Sequence, residues 1–182
     1  MWTSQKKPQF PRPRGFTLVE MLVVIALIAV LAALLTPVAL KMSREAKRSA
    51  CLGQLRSLGV SLETYLGDHL GVMPTMEMGR TSESEEAPVL ETILRDYVST
   101  PEAFHCPGDE EHFAATGSSY FWNNTQSGLR RHQLNMMGTR DRPEIVPLIF
   151  DKEAFHPSPK GVNFLYADQS ASREQKFSTG QQ

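Results

Sequence analysis

The sequence predicts an α+β protein in which a long N-terminal transmembrane helix packs on a small antiparallel-sheet head. Three observations predict this class. Residues 16–40 are almost entirely apolar, leucines at helical spacing follow them, and short apolar runs typical of strands lie in the last third of the chain. With 182 residues, of which 41% are hydrophobic, the chain is long enough for one buried core.

Charge divides the chain into three parts. Residues 1–15 carry four basic and no acidic side chains, residues 16–40 carry only Glu20, and residues 41–182 carry 15 basic and 19 acidic side chains. This pattern predicts a basic leader, an apolar segment and a soluble, mildly acidic domain. The net charge of −1 argues against a protein that neutralises nucleic-acid phosphates, so we expect no nucleic-acid partner to be required.

The apolar segment is predicted to be a retained transmembrane helix over residues 16–40. Its centre, residues 21–35, is an unbroken run of 15 apolar residues. About 20 to 25 helical residues span the hydrocarbon core of a bilayer, which is about 30 Å thick. A secretory signal has a shorter apolar core and a small-residue cleavage site, and Thr36-Pro37 does not provide such a site. A buried helix of a soluble protein is the weaker alternative.

Two residues interrupt the apolar pattern. A charged residue such as Glu20 costs about 2.5–3.5 kcal/mol at the centre of a bilayer and less near its edge. Glu20 is therefore expected either to reach the lipid headgroups or to bind a cation. Pro37 removes one backbone hydrogen bond from the helix, which predicts a kink. Because four cations flank the segment on each side, charge alone does not set its orientation.

Residues 41–66 are predicted to continue this helix with one apolar face. Gly67 and Pro74 are predicted to end the helix, so the globular head comprises residues 67–182. The apolar side chains that recur every three or four residues along the predicted face are Leu52, Leu55, Leu58, Leu62, Tyr65 and Leu66.

The head is predicted to combine one short helix with several strands. Residues 77–88 form an acidic, serine-rich segment that we interpret as a surface loop, with a calcium or partner site as the alternative. Helical spacing of apolar residues predicts a helix over 88–97. Residues 124–142 are polar and are predicted to be a loop. The predicted strands are residues 119–123, 145–150 and 162–167, with 170–177 as a returning hairpin strand, and Pro147 indicates an edge or bent strand.

The N-terminus resembles that of type IV prepilin-like proteins. The resemblance lies in the segment Arg14-Gly15-Phe16-Thr17-Leu18-Val19-Glu20 and in the apolar run that follows it. It implies cleavage between Gly15 and Phe16 by a membrane prepilin peptidase, and methylation of the new Phe16 amine. It also implies a bacterial inner-membrane protein with a cytoplasmic leader and a periplasmic head. Family members often have a proline at the position of Pro37.

The resemblance also implies a role for Glu20 in subunit assembly. Its carboxylate would pair with the Phe16 amine of a neighbouring subunit, which would set the register between subunits while the apolar helix, including Pro37, packs in the fibre. Because an unpaired carboxylate is costly in a low dielectric, such a pair is physically reasonable. The fold expected from this resemblance is the pilin-like form of the α+β class.

Parts of the head resemble a subgroup of bacterial pseudopilin-like proteins. Residues 51–74 are similar to its C-x-x-N-L-R-Q-L-G and Y-x-x-D-x-x-G-x-x-P stretches, with Gln54 and Ser57 as departures. Residues 106–109 resemble its CP-x-D element, and residues 119–123 resemble its S-Y-x-x-N element. The subgroup usually has Asp-Gly where this chain has Asp168-Gln169, which leaves the geometry of the last hairpin open.

This resemblance implies a structural subunit of a periplasmic fibre in a type II secretion system. The expected partners are the prepilin peptidase, other pilin-like subunits, an inner-membrane assembly platform and the lipid bilayer. Two alternatives remain: a type IV pilin or minor pilin for adhesion, motility or DNA uptake, and a membrane-anchored periplasmic binding module that does not polymerise.

Cys51 and Cys106 are candidates for a disulfide, because the implied compartment is oxidising; two free cysteines are the alternative.

Metal binding is less specifically indicated. Residues 105–112 are rich in histidine and acidic side chains, but Pro107-Gly108 interrupts them and no closed zinc spacing is present. Calcium is a candidate ligand by family analogy, without assignable residues, and no other cofactor is expected.

No catalytic motif is present, and we expect a protein that is not an enzyme. The sequence contains no G-x-S-x-G, no H-E-x-x-H and no glycine-rich phosphate loop after a strand. A catalytic group of Asp151, His156 and Asp168, brought together near the predicted C-terminal sheet, is the weaker alternative. We interpret them as turn and surface residues.

Overall fold

The computed structural model describes residues 17–136, 138–156 and 161–176. The chain divides into two compact units, residues 1–41 and residues 42–182. Its α-helices are α1 (Leu18–Asp68), α2 (Leu90–Ile93) and α3 (His112–Thr116). Its strands are β1 (Tyr120–Trp122), β2 (Asn135–Met136), β3 (Thr139–Arg140), β4 (Pro147–Asp151), β5 (Phe164–Tyr166) and β6 (Ala171–Ser172).

A four-stranded antiparallel sheet organises the second unit. Its strand order is β1-β4-β5-β6, and β2 and β3 form a separate antiparallel pair. Opposed residues in the main sheet include Phe121 with Phe150 and Phe150 with Phe164. The long N-terminal helix and this small antiparallel sheet confirm the predicted α+β class and its pilin-like layout.

The predicted apolar face of α1 supplies the core of the second unit. Leu55, Leu58 and Leu62 are fully buried, and Leu52 and Leu66 are nearly so. Leu55, Leu58, Leu62 and Leu66 pack in one cluster with side chains of the sheet and of the segments that connect it. Tyr65 lies at the border of the cluster and is only partly buried; the fully buried partners from the sheet include Tyr120, Trp122, Leu148, Ile149 and Leu165.

The predicted strand over 145–150 forms as β4, but not at the edge of the sheet. It lies between β1 and β5, so of the two alternatives predicted from Pro147, an edge strand or a bent strand, the edge strand does not form. Pro147 is tolerated because it is the first residue of the strand, where a missing N–H removes no interior ladder bond. The expected bend is present as a shift in the β4–β5 register between Pro147 and Ile149.

Three other segments differ from their predicted structure. The helix expected over 88–97 is limited to the four residues of α2 and a separate 3₁₀ turn at Arg95–Tyr97, because Tyr97 N–H bonds to Leu94 O three residues earlier. The loop expected over 124–142 contains β2 and β3, with Gly138 at φ +82° between them. The strand expected over 170–177 shortens to the two residues of β6.

The acidic loop over 77–88 is held to the head by a buried arginine. Arg80 Nε donates to Glu91 Oε1 at 2.9 Å and to the Thr116 carbonyl at 2.8 Å. Its Nη1 donates to the Glu83 carbonyl at 2.8 Å. Burial raises the pKa of Glu91, while the Arg80 charge beside it acts in the opposite direction. The loop is therefore mostly exposed at its acidic tip but anchored at its base.

Candidate functional site

The first candidate site is the apolar part of α1. Its large side chains from Leu18 to Leu40 are all exposed, with Leu18 at 79% and Leu35 at 66% of full exposure. The helix contains a stretch that is long and apolar enough to cross a membrane, by length and composition, and this stretch is not buried inside the protein. Exposed apolar surface on this scale indicates a membrane or a protein partner.

Glu20 and Thr17 form a capping box at the start of α1. Thr17 N and Oγ1 donate to Glu20 Oε2 at 2.8 and 2.7 Å, and Glu20 N donates to Thr17 Oγ1 at 3.2 Å. The two side chains thereby satisfy backbone N–H groups that an α-helix leaves unpaired at its first turn. Glu20 therefore has a local role in the chain itself, which the sequence analysis did not foresee.

The helix continues through Pro37. A proline inside a helix removes one hydrogen bond and clashes with the preceding turn. Next to it, Thr36 Oγ1 donates to the Ala32 carbonyl at 2.7 Å. Such back-bonding hydroxyls accompany bends in helices. Thr36 and Pro37 thus mark a locally weakened turn in the apolar segment.

The second candidate site is a buried cluster of polar side chains around a disulfide. Cys51 of α1 and Cys106 of the segment before α3 are joined by this disulfide, and both are fully buried. The backbone turns sharply after Cys106, where Asp109 N–H bonds to the Cys106 carbonyl at 2.8 Å. The disulfide links α1 covalently to the connecting segments of the same unit.

Asp109 and Ser119 hold the polypeptide around Cys106. Asp109 Oδ1 accepts from Glu111 N and His112 N, at 3.0 and 2.8 Å, at the start of α3. Ser119 Oγ donates to Asp109 Oδ2 at 2.6 Å and accepts from Cys106 N at 2.9 Å. Burial alone would raise the pKa of Asp109, but these hydrogen bonds outweigh it and hold the pKa below its usual value. The CP-x-D and S-Y elements therefore meet and stabilise each other.

His156 contacts the disulfide. Its Nε2 lies 3.4 Å from Cys106 Sγ and 3.8 Å from Asp151 Oδ2. Asn163 donates to the same Oδ2 from its backbone N and its Nδ2, at 2.8 and 2.9 Å. His156 and Asp151 are 5% and 2% exposed. The interpretation of these two residues as turn and surface residues was wrong, whereas Asp168 is exposed in a turn as expected.

Electrostatics favour the neutral forms of both groups. Burial raises the pKa of Asp151 to about 7. Burial, followed by the positive charges of Arg48 and Arg173, lowers the pKa of His156 to about 4. Between these two values the side chains approach each other uncharged, so the 3.8 Å contact is not an ion pair.

The geometry of the cluster does not match that of a nucleophile–histidine–acid relay. Such a relay places the nucleophile and the acid on different ring nitrogens, whereas Cys106 Sγ and Asp151 Oδ2 both approach Nε2 of His156. A separate open cavity of about 680 Å³ is lined in part by Arg80 and Glu91, but these two side chains bind each other. In this lining, Arg80 and Glu91 anchor the acidic loop to the head.

Residues 11–36 match the family model of the prokaryotic N-terminal methylation motif. The match supports a type IV pilin-like prepilin, which agrees with the resemblance found in the sequence. It covers the end of the predicted basic leader, the predicted cleavage position and most of the apolar segment. No curated protein and no solved structure matches the chain.

The motif extends beyond the described residues at its functional end. Gly15 and Phe16, the predicted cleavage and methylation positions, lie outside them. Glu20 and Pro37 lie within α1. The prepilin motif and the single apolar helix are consistent with membrane anchoring and with a head on the other side of the membrane.

The histidine- and acid-rich segment over 105–112 does not converge on one point. His105 stacks on Phe113, and His112 Nε2 lies 3.2 Å from Glu153 Oε1. Within the described ranges, the potential ligands that do converge are Cys51, Cys106 and His156. The segment over 105–112, which has no closed zinc spacing in the sequence, shares only Cys106 with this group.

Two pairings in these sites were not predicted from the sequence. The first is the capping box, which the sequence contains as Thr17-x-x-Glu20, a known helix-start pattern. Because apolar residues surround Glu20, it was interpreted only as a charge in a membrane segment. The approach of His156 to Cys106 had no such signal, because the two residues lie 50 positions apart and meet only through the fold.

Proposed function

We propose that the chain is a pseudopilin, a structural subunit that polymerises into a periplasmic fibre of a type II secretion system. The observation that carries the proposal is the methylation motif over residues 11–36, continuous with an exposed apolar helix that carries one carboxylate. After removal of residues 1–15, the subunits wait in the inner membrane and are assembled by a membrane platform. The head then lies in the periplasm.

The apolar helix provides the packing surface of the fibre. Its large side chains from Leu18 to Leu40 are exposed in the single chain, so lipid covers them before assembly and neighbouring helices cover them afterwards. Lipid tails and leucine side chains are similarly apolar, so helix association in a membrane depends on packing and polar contacts. Transfer of the apolar helix from lipid into the fibre therefore costs little free energy.

Glu20 sets the register between subunits. In the single chain its carboxylate binds Thr17. In the fibre it pairs with the methylated Phe16 amine of a neighbour, because a buried carboxylate is strongly stabilised by a cation and destabilised by its loss. The pair acts as a specificity device more than as a source of net stability.

The head elements support the pseudopilin subtype over a pilin for adhesion, motility or DNA uptake. Residues 51–74 and 106–109 resemble a pseudopilin-like subgroup. Secretion of a folded substrate distinguishes the subtypes: deletion of the chain abolishes secretion if it is a pseudopilin, and abolishes surface fibres or their functions if it is a pilin. If the chain is a membrane anchor that does not polymerise, its deletion affects neither secretion nor surface fibres.

The first test is the intact mass of the membrane-extracted chain, with and without a co-expressed active prepilin peptidase. The expected result is the loss of residues 1–15 and the gain of one methyl group, only in the presence of the peptidase. An unprocessed mass in both samples would leave a plain membrane anchor and overturn the proposal.

The second test separates the charge of Glu20 from its capping role. Gln is also accepted at this position of a capping box, so Glu20→Gln removes the charge and preserves the helix start. We expect it to abolish cross-linking between subunits in membranes. Thr17→Ala is the matched control, because it breaks the cap and retains the carboxylate. Assembly that survives in Glu20→Gln and fails in Thr17→Ala would show that Glu20 acts only as a cap.

A further inference from the structure

The outer face of the main sheet carries aromatic side chains. Leu165 faces α1, since a Cβ at Gly59 of that helix would lie 3.2 Å from its Cδ1. Successive side chains of a strand point to opposite faces of the sheet, so Phe164 faces away from α1. Phe150 is paired with Phe164, and Phe121 is paired with Phe150, on neighbouring strands. Directly paired residues lie on the same face, so all three rings share the outer face.

These three phenylalanines form a continuous aromatic row across β1, β4 and β5. The ring centroids of Phe121 and Phe150 are 6.0 Å apart, and those of Phe150 and Phe164 are 6.2 Å apart. All three side chains are partly exposed and lie outside the cluster of buried side chains that forms the core of the described residues. The solvated face of an antiparallel sheet is ordinarily polar. A contiguous aromatic row on that face indicates an interaction surface.

One end of the aromatic row is basic. The ring of Tyr166 lies 6.1 Å from that of Phe164 and continues the row along β5. Lys176 Nζ lies 4.5 Å from the centroid of the Tyr166 ring. This ammonium group donates to the neutral Ser170 hydroxyl at 2.8 Å and forms no ion pair with a carboxylate of the described residues. Its charge is therefore available to a partner.

The other end of the aromatic row lies beside the acidic loop over 77–88. A Cβ at Gly79 would lie 2.8 Å from Cδ1 of Phe121, so this loop passes against the ring at the β1 end. The loop exposes Glu83 and Glu86. Within the described ranges, neither of these two carboxylates forms an ion pair with a cation. The β1 end of the row is therefore acidic.

Lys152 does not cancel the acidic character of the β1 end. Its Nζ lies 5.4 Å from the centroid of the Phe121 ring and donates to Thr116 Oγ1 at 2.6 Å. The buried carboxylates of Glu91 and Asp109 act electrostatically on this partly buried ammonium group and offset its charge. The exposed charges of the adjoining loop therefore determine the character of this end.

We propose that a second copy of this chain docks on the aromatic row, related to the first by a two-fold axis. The two rows then run antiparallel and pack ring against ring, while Glu83 and Glu86 of each copy meet Lys176 of the other. A two-fold interface uses the same patch on both subunits, so the patch must be self-complementary. An apolar row with one acidic and one basic end meets this requirement.

The arrangement also matches the anatomy of protein interfaces. Their centres are enriched in aromatic side chains and depleted of charge, and their rims are polar. Complementary charges at the rim fix the register of two partners. The inference goes beyond the proposed fibre function, because it concerns only residues of the second unit and requires neither the peptidase nor Glu20. Its failure would leave the fibre proposal unaffected.

Photo-cross-linking of the full chain in detergent micelles tests the contact. The photoreactive residue p-benzoylphenylalanine replaces Phe150 at the centre of the row. The matched control places it at Leu70, which is 84% exposed and lies outside the sheet. We expect a cross-linked homodimer from position 150 at a yield at least about tenfold above that from position 70. Absence of a dimer, or equal yields from both positions, would overturn the proposal.

Charge reversal separates the two-fold arrangement from other contacts between copies. Lys176→Glu, and Glu83→Lys combined with Glu86→Lys, each place like charges at both rims, so each should lower the dimer yield from position 150 about tenfold. When the two variants are mixed, with a size tag on one of them, heterodimers should form at the wild-type yield because both rims then carry opposite charges. These exposed substitutions leave the core intact.

The matched control for charge reversal is Arg95→Glu. Arg95 is exposed and is not part of the aromatic row or of its two ends, so this variant should cross-link as the wild type does. A wild-type yield in Lys176→Glu, or a mixture that does not recover, would overturn the two-fold arrangement. A cross-link from position 150 to a different protein in membranes, without a homodimer, would assign the row to another partner and overturn the proposal as well.

Discussion

Gln169 occupies a position where the pseudopilin-like pattern has glycine. Its φ of +66° lies in the left-handed region, which is unfavourable for a residue with a Cβ. The side chain compensates for this strain, because Nε2 donates to Glu63 Oε1 of α1 at 2.6 Å. The turn after β5 is thereby tied to the helix, and the departure from the family pattern has a local structural use.

Asp109 stabilises the head through its charge. Asn in its place would retain one acceptor oxygen but would direct an NH₂ group at donors, so we expect Asp109→Asn to lower the free energy of unfolding by about 2 kcal/mol at neutral pH. Because the folded-state pKa is lowered, this stabilisation is present above the unfolded pKa of about 3.9 and is lost as the pH falls through the folded value.

Urea unfolding followed by circular dichroism, at neutral pH and in acid, measures this difference. The wild type and Asp109→Asn should converge in acid. Asp96→Asn, at an exposed position, is the control and should behave as the wild type at both pH values. A constant difference between wild type and Asp109→Asn across the pH range would contradict the role of the charge.

At the scale of elements, α1 is one continuous helix whose N-terminal and C-terminal parts have different surroundings. Its N-terminal part exposes apolar side chains, whereas Leu55, Leu58 and Leu62 are fully buried in the head. Two glycines in the second part illustrate how closely α1 approaches the sheet. A Cβ at Gly59 would meet the Gln169 side chain and Leu165 Cδ1, the latter at 3.2 Å, whereas a Cβ at Gly53 would meet nothing within 4 Å.

The same substitution is therefore expected to have opposite effects at these two positions. Gly53→Ala should stabilise the chain by up to about 1 kcal/mol through helix propensity. Gly59→Ala gains the same propensity but crowds the buried Leu165 and displaces Gln169, so a net loss of about 1 kcal/mol is expected. Thermal unfolding of both variants measures the signs; stabilisation by Gly59→Ala would show that α1 packs less closely on the sheet.

At the scale of the whole molecule, one covalent link and several polar contacts hold the head together. The disulfide joins residues separated by 55 positions. The Asp109 and Ser119 side chains bind across 10 positions, and Asp151 and Asn163 bind across 12. The residues that resemble pseudopilin-like elements thus form structural contacts within the head.

Removal of the disulfide measures its contribution to this stability. A closed loop of this size is worth about 4 kcal/mol in the chain-entropy model, which corresponds to a decrease in Tm of roughly 10 °C for a chain of this length. We expect this decrease for Cys51→Ala combined with Cys106→Ala, measured with a chelator present. Wild type reduced under the same conditions is the control, and unchanged Tm values in both samples would show that the core alone holds α1.

Much of the organisation was predictable because it depends on local pattern. The apolar run, the leucine spacing and the strand patterns are short-range signals, and they correctly predicted α1, its buried face, β1, β4 and β5. The methylation motif is also continuous in sequence and matches residues 11–36. The position of β4 in the sheet and the length of α2 were predicted less accurately. Tertiary packing overrides local propensity at such positions.

The sequence by itself determined that a basic N-terminal segment, an apolar helix with a single carboxylate and an α+β head follow one another along this chain. Only the tertiary structure decided that Cys51 pairs with Cys106 and that His156 and Asp151 lie buried beside this disulfide. The physical reason is range. Helix period and motif spacing are set by neighbouring residues, whereas the contacts around the disulfide join residues up to 105 positions apart, whose distances depend on how the whole head folds.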